Sequence, residues 1–172
     1  MTETATAQQI EITRVYDAPR ELVWSAWTEP EQLVEWWGPP GWSTPIETVT
    51  MDVRPGGDFR LISVSDEGVE MPVVGVYREV VEQERLVLDE PAEQAWHEGS
   101  ESVVTFADLG DGRTEVAIRA TLETTDEMRQ TAERGMRATF DRLADHLGRR
   151  DGLPAGGRGG PGLGRGPRQG VL

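Results

Sequence analysis

Residues 124–148 read TTDEMRQTAERGMRATFDRLADHLG, and the spacing of their apolar and small positions sets the architecture of the chain. Met128, Ala132, Gly135, Met136, Thr139, Phe140, Leu143 and Leu147 recur at three and four residues, the single stripe of a long amphipathic helix. Thr124 and Glu127 have capping-box spacing, and Gly148 is a natural stop. A helix of this length spans roughly 37 Å at 1.5 Å per residue, enough to cover one face of a sheet.

Outward from that helix the period changes to two. Arg113–Leu122 and Ser102–Leu109 form a hairpin around Gly110-Asp111-Gly112, with Thr114, Val116, Ile118 and Ala120 on one face. Met71–Val81 and Arg85–Asp89 flank the short link Glu82-Gln83-Glu84. Phe59–Val64 pairs back on Ile46–Arg54 across Pro55-Gly56-Gly57, where proline fixes φ and glycine permits a positive one. Earlier still, two short helices are predicted over about 19–27 and 29–36, the second with Thr28 and Glu31 at capping-box spacing. Residues 9–16, QIEITRVY, alternate as a strand. The order is β-α-α-β6-α, an α+β chain with a curved antiparallel sheet of six to seven strands wrapped around the C-terminal helix. Pockets form in such an arrangement wherever sheet and helix side chains do not meet.

The expected organisation is a flexible N-terminus over 1–8, one domain over 9–148 and a disordered tail over 149–172 in which half of the residues are Gly or Pro. The net charge of −14 divides unevenly: residues 1–148 hold 12 Arg against 30 acids, and the tail holds five Arg against one Asp. An acidic body disfavours nucleic-acid backbones. The tail's Gly157–Gly162 fits the dinucleotide glycine pattern formally, without the strand and helix that would make it meaningful. No apolar run approaches the length of a membrane span, and Met1–Gln9 lacks signal-peptide character, so a cytoplasmic protein is expected.

Three residue types, Cys, Lys and Asn, are absent altogether. Disulfides, thiolate metal sites, cysteine nucleophiles and Schiff-base lysines are thereby excluded. Only His97 and His146 could supply imidazole: His97 as a loop base near a pocket entrance, His146 on the solvent side of the last helical turn. No cofactor or metal is expected.

Four motifs in order carry a resemblance: ITRVYDAPRELVWSAWTEPEQL over 12–33, WWGP over 36–39, DVRPGG over 52–57 and GVYREV over 75–80. The chain resembles the family of homologues of the activator of the 90-kDa heat-shock-protein ATPase. That family belongs to the START/Bet v-like helix-grip superfamily of hydrophobic-ligand carriers and cyclases. The likeness spans about residues 9–148 and implies the helix-grip fold. Two departures bear on pocket shape: Gly135-Met136 stands where the family usually has a tryptophan after the glycine, and Leu88-Asp89-Glu90-Pro91 replaces a longer aromatic segment.

Five of the six tryptophans fall between residues 24 and 42. Trp24 and Trp36 read as anchors, while Trp27 and Trp37 are candidates for a pocket mouth. Met51, Val53, Phe59, Val76, Phe106, Met128, Met136 and Phe140 are the expected lining between sheet and helix, with Gly135 leaving a gap. Glu35, Asp52, Arg78 and Glu79 are candidates for polar groups in the cavity. The expectation is a binder of a small hydrophobic or amphipathic molecule, with homodimerisation open. The alternatives are a polyketide cyclase or dehydratase-like enzyme, working without metal or covalent nucleophile, and a chaperone-interacting module.

Overall fold

The computed structural model describes residues 4–90 and 100–156, with side chains through Arg149. Strand β1, Thr6–Tyr16, leads into helices α1, Arg20–Thr28, and α2, Pro30–Trp36. The short strands β2, Trp42–Ser43, and β3, Thr50–Met51, precede five longer ones: β4, Asp58–Ser65; β5, Glu70–Val81; β6, Arg85–Glu90; β7, Ser100–Asp108; and β8, Thr114–Thr124. Helix α3, Asp126–Gly156, ends the described chain. The fold is α+β, a large antiparallel sheet in the order β1-β8-β7-β6-β5-β4-β2, with β3 also on β4, gripping the C-terminal helix.

Period-two alternation builds the buried face. On β8, Thr114, Val116, Ile118, Ala120 and Leu122 all turn inward against Ile10, Ile12 and Tyr16 of β1 and against Phe140, Leu143 and Leu147 of α3. A bulge between Tyr77 and Glu79 resets the register of β5 against β6, a device that bends a strand and sharpens its twist.

Several boundaries differ from the sequence-based expectation. β1 starts at Thr6, because Thr6 to Gln8 continue the ladder against Thr124 to Leu122 although their own alternation has faded. The run 46–54 is not one strand: it opens with a 3₁₀ turn at Ile46–Thr48, where Thr48 Oγ1 donates to the Pro45 carbonyl at 2.7 Å and accepts from the Ile62 amide at 3.1 Å. Its pairing then stops at Met51. Gly57 folds back so closely that an added Cβ would stand 1.9 Å from the Asp52 carbonyl oxygen, which accounts for glycine there.

Neither capping box forms. Thr125, not Thr124, caps α3 through its Oγ1 to the Met128 amide at 3.2 Å, and Thr28 donates instead to the Trp24 carbonyl at 2.8 Å. At the other end α3 passes through Gly148 to Gly156, so the first part of the expected disordered tail is helical. Gly148 is not among the glycines of positive φ and therefore terminates nothing. The remaining tail, 157–172, lies outside the described residues, as does His97.

Candidate ligand-binding pocket

A cavity of about 330 Å³ lies between the inner face of the sheet and the first half of α3. Phe59 and Ser63 of β4, Met71 and Val73 of β5, Leu88 and Glu90 of β6, Ser102 and Val104 of β7, and Ile118 of β8 form the sheet wall. Within each strand these positions share one parity, so the pleat alone delivers them to one face. Met128, Thr131, Ala132, Gly135, Met136, Thr139 and Phe140 form the helix wall, spaced at one, three and four residues. Trp27, Trp37, Gly38 and Pro39 close one end. The space persists because Gly135 contributes nothing to fill it: a Cβ built there meets no atom within 4 Å. Met128 both lines the cavity and is 38% exposed, so the cavity reaches solvent at that point.

Seven of the eleven residues expected at the pocket are brought together here: Trp27, Trp37, Phe59, Met128, Gly135, Met136 and Phe140. Met51, although paired with Phe59, and Val53, which lies beyond the end of the β3–β4 pairing, pack half-buried against the core without lining the cavity. Phe106 belongs to the core, its ring centroid 5.3 Å from Trp24 and 6.0 Å from Trp27. Val76 is a correction of face: Tyr77 takes the buried position, so Val76 is turned outward and is 38% exposed. The same parity, counted from Phe59 and Phe106, would have found Ser63, Ser102 and Val104, which the sequence reading missed.

The polar groups of the lining are few. Ser63 Oγ lies 3.2 Å from Thr44 Oγ1, while Thr131 and Thr139 donate back to the Glu127 and Gly135 carbonyls at 3.1 and 2.8 Å. Glu90 is the one ionisable side chain among the described lining residues. Glu35, Asp52, Arg78 and Glu79 do not line it. Arg78 instead bridges Asp89 at 3.2 Å and Glu101 in the groove on the other face of the sheet, and Asp52 pairs with Arg54 at 2.8 Å. His146 is buried rather than solvent-facing, with Nε2 3.3 Å from Gln32 Oε1, between α3 and α2. Burial pushes the phenols of Tyr16 and Tyr77 well above their ordinary value, and neither lines the cavity. No group of acidic or histidine side chains among the described residues could hold a metal ion, and no described helix is long and apolar enough to cross a membrane.

The tryptophan end of the cavity is held from outside. Arg142 of α3 donates through Nη1 to the Gly38 carbonyl at 2.6 Å, with the carbonyls of Trp42, Trp37 and Pro39 at 3.2 to 3.4 Å. Gly38 and Gly41, at φ of 93° and 91°, give this loop the turns that aim its carbonyls at one cation. Trp36 Nε1 donates to the Ala26 carbonyl at 3.0 Å, whereas Trp27 Nε1 is the one buried side-chain nitrogen or oxygen among the described residues without a partner.

Solved structures share this arrangement. Protein NE0264 from Nitrosomonas europaea matches with a TM-score of 0.69 at 25% identity, over 84% of this chain and 96% of its own. The AHSA1 protein SPO3351 from Silicibacter pomeroyi matches with a TM-score of 0.72 at 19% identity, over 82% of this chain and 98% of its own. CalU16 from Micromonospora echinospora matches with a TM-score of 0.61 at 20% identity, over 92% and 94%. No curated protein matches the chain. Residues 17–148, from the end of β1 into α3, match the family described as Activator of Hsp90 ATPase homolog 1-like protein, and the chain belongs to that family.

Proposed function

We propose that this protein binds a small hydrophobic or amphipathic molecule, in the cytoplasm, between its sheet and α3. One observation carries the reading: a cavity of about 330 Å³, in the size range of small-molecule sites, is walled by aromatic, methionine and aliphatic side chains and kept open by Gly135. An apolar space of this size is poorly suited to water, which needs two to four polar partners. Methionines at 71, 128 and 136 supply unbranched, polarizable walls that adapt to ligand shape. A cyclase-type reaction would call for several ionisable groups converging on the substrate, and the described lining offers one. A chaperone-docking role, which the family's description suggests, has no counterpart among the described features as specific as this cavity.

The test is a neutral fluorescent probe, N-phenyl-1-naphthylamine, titrated into the wild-type protein and into Gly135→Leu. Leucine is a better helix former than glycine by about 0.8 kcal/mol, and its side chain enters space that is open in the wild type. The expected result is saturable one-to-one binding to the wild type, with affinity reduced at least about tenfold in Gly135→Leu while its Tm holds or rises. Unsaturable binding, or equal binding by both proteins, sinks the reading.

A further inference from the structure

Ser63 of β4 turns inward at the end of the cavity that Trp27, Trp37, Gly38 and Pro39 close. A Cβ built on Gly38 would stand 4.0 Å from Ser63 Oγ, and Phe59, earlier on the same face of β4, meets Trp37 at a ring-centroid distance of 5.6 Å. Ser63 and Thr44 are both buried, and their hydroxyl oxygens are 3.2 Å apart. Two hydroxyls carry two hydrogens, and the bond between them uses one. Neither makes another hydrogen bond among the described residues, so one hydrogen of the pair has no acceptor. When Thr44 donates to Ser63, that hydrogen is the one on Ser63, the member of the pair that lines the cavity. Trp27 Nε1, at the same end, is a second donor without an acceptor, but its neighbours cover it, which leaves Ser63 as the donor a ligand meets.

We propose that Ser63, oriented by Thr44, donates a hydrogen bond to a neutral carbonyl oxygen of the ligand, so that the pocket takes an apolar molecule bearing a ketone, aldehyde or ester. This rests on the ligand-binding reading above. In a chain from Thr44 to Ser63 to ligand each hydroxyl polarises the next, which strengthens the last bond. A carbonyl oxygen takes the spare hydrogen and brings none of its own. An alcohol would bring one more, and the Trp37, Gly38 and Pro39 carbonyls at this end are already turned to Arg142. A carboxylate would give up its hydration for a single hydrogen bond within a mostly apolar wall. Two charged groups stand near this end outside the lining: Arg142, committed to the loop carbonyls, and Asp66, whose Oδ2 is 3.6 Å from a Cβ built on Gly41. Their charges are opposite in sign, and neither reaches the wall. Glu90 stands beside Gly75, whereas Ser63 pairs with Met71 farther along β5, so about 13 Å of strand separates the two.

At about 30 Å³ per water-sized group, the cavity has room for roughly ten non-hydrogen atoms. The matched probes are acetophenone, α-methylstyrene and benzoate at pH 7, where the acid is ionised, each displacing bound N-phenyl-1-naphthylamine. They share size and outline, and differ in carrying a neutral acceptor, none, or an anion. Acetophenone is better hydrated than α-methylstyrene, so the quantity read is the change in their affinity ratio between proteins. Ser63→Ala is expected to weaken acetophenone relative to α-methylstyrene about fivefold, the worth of one neutral hydrogen bond. Thr44→Val combined with Ser63→Ala removes both hydroxyls and strands neither, so it gives the same change should the single variant not fold. In the wild type, benzoate is expected to need a concentration at least about tenfold higher than acetophenone. The labelled carbonyl carbon of bound acetophenone is expected to resonate downfield of its position in hexane, the mark of a hydrogen-bonded oxygen. An unchanged ratio in a folded variant, or a carbonyl resonance at the hexane position, overturns the role of Ser63 and leaves the pocket reading standing. Benzoate matching acetophenone overturns the neutral-carbonyl assignment, as does failure of acetophenone to displace a dye that binds. Failure of the dye itself removes the pocket reading and this one with it.

Discussion

Trp36 donates its indole N–H to the Ala26 carbonyl, the acceptor that a continuing helix would have satisfied with the amide of residue 30. Residue 30 is proline and has no amide to give, so the indole replaces a donor that the backbone lacks. Trp27, its ring 4.9 Å away, buries the same group with no partner. Replacing each by phenylalanine removes similar volume but has opposite polar consequences: Trp36→Phe leaves the Ala26 carbonyl unsatisfied, and Trp27→Phe discards a donor that was never satisfied. Urea unfolding is expected to show Trp36→Phe costing at least about 1 kcal/mol more than Trp27→Phe; an equal or reversed cost would contradict this account. The tryptophan cluster was legible in the sequence, as were the anchoring roles of Trp24 and Trp36. Which indole finds an acceptor was not, since it depends on bringing α2 against the end of α1.

At the scale of elements, the joint between α3 and the loop after α2 is carried by Arg142. One guanidinium nitrogen has two protons and cannot satisfy four carbonyls equally, so the 2.6 Å contact with Gly38 is the principal bond and the others add attraction. Arg142→Met should cost about 2 kcal/mol, the scale of a hydrogen bond to a charged donor, and should speed amide exchange at Gly38, Gly41 and Trp42. Arg142→Lys should recover part of that protection, because an ammonium keeps the charge and three donors but not the planar fork. Unaltered exchange in Arg142→Met would show that the loop stands without it. The long helix and the longer strands could be read from periodicity, and with them Gly135, Met136, Phe140 and Phe59. Val76 was assigned to the wrong face because the reading of β5 did not start its parity from the buried Tyr77. Arg142 was invisible for another reason: carbonyls contributed by a loop leave no side-chain pattern to detect.

For the whole molecule, the absence of Lys and Cys has a titration consequence. Between about pH 9 and 12 the two tyrosines are the only side chains with ordinary values in range, and both are buried. Desolvation raises the folded-state values of Tyr16 and Tyr77 above the ordinary 10; the nearby Asp52 charge adds to this for Tyr77, while for Tyr16 Arg14 opposes it and Asp141 adds a smaller upward push. The unfolded chain then loses its phenolic protons first, so this stability is intact below about pH 10 and falls as pH rises further, by about 1.4 kcal/mol per pH unit for each tyrosine. Denaturation midpoints measured from pH 9 to 12 should follow that slope, and Tyr77→Phe should roughly halve it; a flat profile would refute the burial argument. The sequence also revealed a body far more acidic than its tail. It did not reveal that β1 begins at Thr6, because a polar strand start owes its order to β8 and not to its own pattern. That β1–β8 ladder pairs residues far apart in sequence, a kind of contact that slows folding. It joins the first strand to the last, so the sheet cannot close until nearly the whole domain has been synthesised, and until then β1 waits with both of its edges unpaired.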